Sequence, residues 1–471
     1  MTQKKYRLLP RFVNLLIILV IILTMNNVKY WKRDNRVISN DVISYYAYLP
    51  ALFIHNDLKF DFLEQNKELY SSQLWPLTTS DGKKVIKMSM GLAILYTPFF
   101  LIAHAYANIF DYPADGFSEP YRFMLLLSSI FYLCIGLRFL RKLMQQYFDN
   151  MVVSFTLLLL FGCTNLFYYA TFESTVSHIY SFSLIVVFIY YLIIWLNKIT
   201  FKITIFLGLL IGIISLIRPT NISVAIFFIL IGITSFTHFK ERIFLLGKNY
   251  KHILLIILLA FLIWLPQLIY WKYTTGHFLY YSYGDDEKFF FNDPQIINGL
   301  FSYRKGWFLY TPLMFFIVLG MIISFKRFKE FALSNVIFFI AIVYITFSWW
   351  CWWYGGGYSA RPMADFYGIF ALSLAVLIDW ISKRKLVIKT VLVTLLALLF
   401  VHGIFQSAQY HYDVIHWDSM SNKAYWDRFG KMSFPDNYDE LLEYPDYEKT
   451  KTGEQAIIPL DKVPLDNRLR K

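Results

Sequence analysis

The stretch MSMGLAILYTPFFLIAHAYANIF, from Met88 to Phe110, decides how the chain is threaded. It is apolar, yet it carries Pro98, His104 and Asn108. Counting it as a crossing or as a half-inserted segment reverses the side on which everything after it lies. Around it the chain is built from apolar runs at 12–25, 121–140, 151–169, 178–196, 203–217, 221–237, 252–271, 307–325, 333–352, 363–381 and 386–405. Most approach the ~20 residues that a helix needs to cross a ~30 Å hydrocarbon core. Composition agrees, with 57% hydrophobic and 16% charged residues in 471 and a mean hydropathy of +0.46. An average soluble domain carries about 25% charge. Cys134, Cys163 and Cys351 all fall in apolar stretches, and an odd number of cysteines implies no disulfide framework. The expectation is an all-α polytopic integral membrane protein.

Charge chooses between the two threadings, because basic residues gather in short loops on the inner side. No small-x-small cleavage site follows the first run, so it is read as a retained span with the N-terminus inside. With 88–110 half-inserted there are about eleven transmembrane helices, and the C-terminus lies outside. The inner segments then hold Lys4, Lys5, Arg7, Arg11, Arg138, Arg141, Lys142, Lys198, Lys202, Lys240, Arg242, Lys248, Lys251, Lys326, Arg327, Lys329, Lys383, Arg384, Lys385 and Lys389. That gives a net charge of +16 inside and −3 outside, which together make the chain's +13. A crossing at 88–110 sends every basic cluster after Arg138 outside. Topology therefore accounts for the basic balance, and no nucleic-acid partner is needed.

Residues 1–408 form the transmembrane domain in this reading, with outer loops at 29–120 and 272–305. Residues 409–471 form a small polar extracytoplasmic tail, expected to pack over the outer loops. No internal repeat is visible. Function is expected at the outer membrane boundary, where the ionisable groups gather. Asp41 opens the stretch Val42-Ile43-Ser44-Tyr45-Tyr46-Ala47-Tyr48-Leu49, whose spacing suits a short surface helix. Asp41 is either that helix's N-cap or a general base. Lys87 is either an interfacial snorkelling lysine or a phosphate ligand.

Arg218-Pro219-Thr220-Asn221 and Gly355-Gly356-Gly357-Tyr358-Ser359-Ala360-Arg361-Pro362 share a design. Each proline suits the first turn of a helix whose N-terminus faces outward. Free N–H groups and the positive end of the dipole favour phosphate there, and an arginine adds a forked donor. The alternative is an arginine that caps carbonyls or pairs with a carboxylate, such as Asp365 for Arg361. His178 reads as a structural histidine at a span end or as a site residue. Asp285-Asp286-Glu287 with Asp293 reads as solvated loop, since no metal-ligand spacing accompanies it. Trp349, Trp350, Trp352 and Trp353 suit an interfacial belt first and sugar stacking second. No Walker, Rossmann or nucleophile-elbow motif is present.

The order of these features resembles the GT-C superfamily of polytopic glycosyltransferases, which includes protein mannosyltransferases and lipid A aminoarabinose transferases. It looks closest to a bacterial branch with Asp and then Tyr-Tyr-x-Tyr-Leu-Pro in the first loop, here Asp41 and Tyr45 to Pro50. The resemblance covers the layout of residues 1–405. It departs at Val42, where the family commonly has a second acidic residue, and at Ser89-Met90, where it has proline.

The resemblance implies surface helices in the first outer loop and a sugar transferred from a polyprenyl-phosphate donor. The acceptor would be a cell-surface glycan, lipid or protein at the outer face of a bacterial inner membrane. Asp41 would be the base, with Lys87, Arg218 and Arg361 on the lipid phosphate. Tyr45, Tyr46, His178 and Tyr358 would be further substrate contacts. No cofactor is implied, and a role for a divalent metal stays open. Two other readings stand beside it: a transporter or flippase of lipid-linked sugars, and a non-catalytic glycan-assembly protein. Transporters tend to hold polar groups near the bilayer midplane, whereas here the mid-span regions are nearly free of charge.

Overall fold

The computed structural model describes residues 8–65, 73–79 and 81–464. Lys4, Lys5 and Arg7, counted among the inner basic residues, lie outside the described residues. The chain is mostly helical. Among the described residues the paired strands are Leu77–Thr78 and Lys84–Val85, antiparallel, with Leu77 opposite Val85. Among the described residues eight helices are long and apolar enough to cross a membrane: Leu9–Lys32, Gly91–Ile109, Glu119–Met144, Ser177–Asn197, Tyr250–Thr275, Lys329–Phe347, Arg361–Ser382 and Leu386–His411. By helix length and hydropathy this is a multi-pass membrane protein.

The spans differ from the expected eleven in two ways. First, Gly91–Ile109 is a continuous 19-residue helix, about 28 Å long at 1.5 Å per residue. By length and composition it qualifies as a crossing, where a half-inserted segment was expected. Its polar residues are satisfied locally: the Thr97 hydroxyl donates to the Ala93 carbonyl at 2.8 Å, and the Asn108 amide to the His104 carbonyl at 2.8 Å. His104 Nδ1 lies 2.5 Å from the Tyr121 hydroxyl. Apolar helices tolerate proline when neighbouring groups meet the freed backbone.

Second, four of the expected runs are short or broken. Phe201–Ile217 and Leu313–Arg327 have 17 and 15 residues. Run 151–169 divides into Asn150–Gly162 and Leu166–Thr171, and Gly162 touches the Phe400 ring so closely that a Cβ has no room. Run 221–237 starts as the 3-10 helix Pro219–Ile226, continues as Phe227–Leu230, and turns at Gly232 with φ +81°. A separate helix, Phe236–Lys248, follows.

Two compact units divide the chain. One comprises Asn14–Leu143 and Tyr169–Gly284; the other comprises Met144–Tyr168, Asp285 onward and the first residues up to Val13.

In the first unit, Phe201–Ile217 packs against Tyr250–Thr275 through Gly208 and Gly212. A Cβ on Gly212 would lie 2.9 Å from the Ala260 Cα, and one on Gly208 would lie 2.9 Å from the Leu259 Cβ. Small residues four apart let two apolar backbones approach where lipid supplies no hydrophobic drive. The buried Arg122 ties down the loop after the first span. It donates to the carbonyls of Trp31 at 2.7 Å and Phe117 at 2.8 Å, and it pairs with Asp34 at 2.7 Å.

In the second unit, Tyr367–Ser382 is the buried centre, with Asn150–Gly162 and Leu313–Arg327 packed on it. The tail belongs to this unit and lies over the 302–304 and 352–353 loops. Trp426 Nε1 donates to the Tyr303 hydroxyl at 3.1 Å, and Trp352 Nε1 to Gln455 Oε1 at 2.9 Å.

Candidate functional site

In the first unit, the segment Ile86–Gly91 is held almost atom by atom. The Ile86 amide donates to the Tyr270 hydroxyl at 3.0 Å, and the Met90 amide donates to Gln267 Oε1 at 2.8 Å. The Lys87 carbonyl accepts from Ser282 at 2.5 Å, and the Met88 carbonyl accepts from Tyr48 at 2.7 Å. Ser89 donates to the Leu216 carbonyl at 2.5 Å. The Lys87 ammonium lies 5.0 Å from the centroid of the Tyr283 ring. Four side chains from three distant segments, together with the bond from Ser89 to the Leu216 backbone, thus fix the backbone that carries Lys87.

Arg218 directly follows the residues that Ser89 and Gly91 touch. It ends Phe201–Ile217 in an extended conformation, and Pro219 opens the 3-10 turn after it, with the Asn221 amide bonded to the Arg218 carbonyl at 2.8 Å. The proline occupies the first-turn position expected of it. Asn221 Nδ2 donates to Ser181 Oγ at 3.1 Å, one turn along the helix from His178. The fold therefore brings the Lys87 segment, the Arg218 corner and the start of the His178 helix together, though they are far apart in sequence.

Asp41 is the first residue of the short helix Asp41–Tyr46, which packs on Gly91–Ile109. The N-cap is Asn40, at φ 48° and with no side-chain cap bond. Asp41 is thus not the cap residue that the sequence allowed. Just before it, the Val37 carbonyl accepts from Thr175 at 3.1 Å. This joins the Asp41 loop to the start of the His178 helix.

Burial sorts the expected site residues. Asp41, Lys87, Arg218 and Arg361 are half-buried. His178, Tyr45, Tyr46 and Tyr358 are buried. The Tyr46 hydroxyl bonds the Gly116 carbonyl and its ring meets Phe100 at 5.8 Å. Burial first, then Tyr121 and Asp115, pushes its pKa well above the ordinary phenol value. His178 packs edge-on against Tyr169 at 4.9 Å. Tyr45, Tyr46 and His178 belong to the first unit and Tyr358 to the second, and apolar packing hides each of them from solvent.

Arg361 and Tyr358 belong to the second unit. The turn before Arg361 carries positive φ at Tyr354, Gly355 and Ser359. The Gly355 amide donates to Cys351 Sγ at 3.2 Å, and the Tyr358 carbonyl accepts from Asn165 at 3.1 Å. The buried Lys305, which the sequence reading passed over, bonds the Gly357 carbonyl and sits 4.9 Å from the Tyr410 ring centroid. Arg361 starts the 3-10 turn Arg361–Phe366, and Asp365 is buried within it. Among the described residues no three His, Cys, Asp or Glu side chains are grouped to hold a metal ion.

No protein-family model matches the chain, and no curated protein is detectably similar to it.

Proposed function

We propose that the chain transfers a sugar from a polyprenyl-phosphate donor to a glycan, lipid or protein acceptor at the outer face of a bacterial inner membrane. The observation that carries this reading is the corner where the segments bearing Lys87 and Arg218 are joined through Ser89 and Leu216. Two half-buried cations stand on backbones locked to each other by the Ser89–Leu216 bond. The helix that starts at Asp41 packs on the Gly91–Ile109 helix, which begins at the same corner.

The chemistry needs one carboxylate. A phosphate leaves the anomeric carbon without being protonated, so no acid is required. Asp41 takes the proton of the acceptor hydroxyl as its oxygen attacks that carbon. The bond to the phosphate oxygen breaks with its electron pair, and the configuration inverts. Fixed cations favour the departing charge more strongly where water is excluded. Arg361 belongs to the second unit, and its assignment to a phosphate comes from the sequence alone.

The test is complementation of a deletion strain with wild type, Asp41→Asn and Arg361→Ala at matched membrane levels, with surface glycans profiled by mass spectrometry. Restoration of a missing sugar by wild type but not by Asp41→Asn supports the transferase, with Arg361→Ala raising the demand for donor. Full restoration by both variants overturns the assignment and favours a transporter or assembly role.

A further inference from the structure

The second unit holds a cavity of about 450 Å³ formed by three pieces of chain: residues 297–304, the pair Trp352–Trp353, and the tail from Met420 to Ile457. That volume falls in the ~300–1,000 Å³ range of small-molecule sites. Phe301, Tyr303, Trp352 and Trp353 give it an aromatic wall, and Glu443 stands at its exposed rim.

Arg304 is built into this wall. Its guanidinium carbon lies 4.9 Å from the Trp353 ring centroid, and Nη2 donates to the Glu443 carbonyl at 3.1 Å. Nη1 is buried, and among the described residues it has no hydrogen-bond partner. The neighbouring carboxylates do not meet that need. Asp418 accepts from Ser419 at 2.5 Å and from Tyr447 at 2.8 Å, and Glu443 meets Arg304 through its backbone. Burial lowers the Arg304 pKa, and Asp418, Tyr447 and Glu443 offset part of that. A buried charged donor without an acceptor is expensive, so this site is incomplete on its own.

We infer that the cavity binds an acidic saccharide of the hexuronate class, with the carboxylate on Arg304 and the pyranose ring against the aromatic wall. A carboxylate fits the planar guanidinium fork and supplies the missing acceptor. The C–H face of a sugar ring suits indole and phenol faces, and the volume exceeds what a bare anion would fill. Gln455 also lines the cavity, its Oε1 accepting from Trp352 Nε1. The inference stands apart from the transferase reading, because binding is measured without turnover.

The experiment uses the full chain in detergent micelles, with saturation-transfer NMR and calorimetry against D-glucuronate, D-glucose and acetate. Glucuronate is expected to bind at least tenfold more tightly than either glucose or acetate. Arg304→Gln should reduce glucuronate affinity to that of glucose. Asn422→Trp fills the cavity from its exposed rim without touching Arg304, and should abolish binding of both sugars; it decides the matter if Arg304→Gln does not fold. Equal affinity for glucose and glucuronate overturns the carboxylate assignment. Acetate binding as tightly as glucuronate overturns the saccharide. Absence of glucuronate binding, or binding indifferent to both variants, overturns the site.

Discussion

A Cβ on Gly91 would lie 2.6 Å from the carbonyl oxygen of Leu216 and closer still to the amide nitrogen of Ile217. Both obstacles are backbone atoms of a helix end, which no rotamer change can move aside. Gly91→Ala should therefore separate the start of Gly91–Ile109 from the end of Phe201–Ile217 and displace Lys87 relative to Arg218. Overpacking of this kind costs about 1–3 kcal/mol. The expected outcome is a lower melting temperature in detergent together with a loss of glycan restoration larger than the loss of folded protein. Unchanged stability and activity would count against the locked corner.

Asp41→Asn separates catalysis from capping. A lost N-cap costs ~1 kcal/mol, but the cap position belongs to Asn40, so the variant gives up at most a first-turn charge worth about 0.3–1 kcal/mol. A lost general base costs ~10²–10⁴-fold in rate. Near-normal thermal stability with turnover reduced by two orders of magnitude or more is expected. A stability loss that accounts for all the activity loss would make Asp41 a structural residue.

Much of the layout was legible because hydropathy over a long window is a strong signal, and seven of the eight long apolar helices coincide with runs read from the sequence. The breaks were not legible. Gly162 against Phe400, and Gly232 at positive φ, interrupt runs whose average hydropathy hardly registers them. The half-inserted reading of Gly91–Ile109 rests on the charge balance of the loops, and its polar residues do not oppose a crossing, because Thr97 and Asn108 spend their hydrogen bonds on their own helix.

At the site, residue types were readable but depth was not. Nothing local in Tyr45-Tyr46 separates a substrate contact from a ring packed on Phe100. Arg304 and Lys305 carry no local mark of burial, which depends on the tail and on Tyr410 folding over them. The signal that existed was their position, two adjacent cations immediately before an apolar run on the side expected to lie outside.

The threading of Gly91–Ile109 has a direct measurement. Its length permits a crossing, whereas the charge balance of the loops requires that it return to the side it left. Single cysteines placed at Arg36 and at Asp115, in a background without Cys134, Cys163 and Cys351, should both react with an impermeant thiol reagent on intact cells. Reaction at position 36 alone would mean that the helix crosses, and would move the Arg138–Lys142 cluster to the outside.

The tail carries a pH-dependent contribution of known sign. Burial alone would raise the Asp418 pKa, but the His416 ring 3.4 Å away and hydrogen bonds from Ser419 and Tyr447 outweigh it and hold the carboxyl below its ordinary value. The unfolded chain therefore binds this proton more readily than the folded one. The stabilisation is complete above the unfolded value of about 3.9 and is lost as pH falls through the lower folded pKa. Asp418→Asn weakens charge-assisted bonds to Ser419 and Tyr447, worth about 1.5–3 kcal/mol each when intact. Hydrogen exchange over the Tyr447–Lys451 helix, compared between wild type and variant at each pH so that intrinsic rates cancel, reads this directly. The protection difference should shrink below about pH 4 as the wild type takes up the proton. A difference that grew toward acid would show that the folded tail favours the neutral acid, and the carboxylate would then not be what ties Tyr447 to the 416–419 turn.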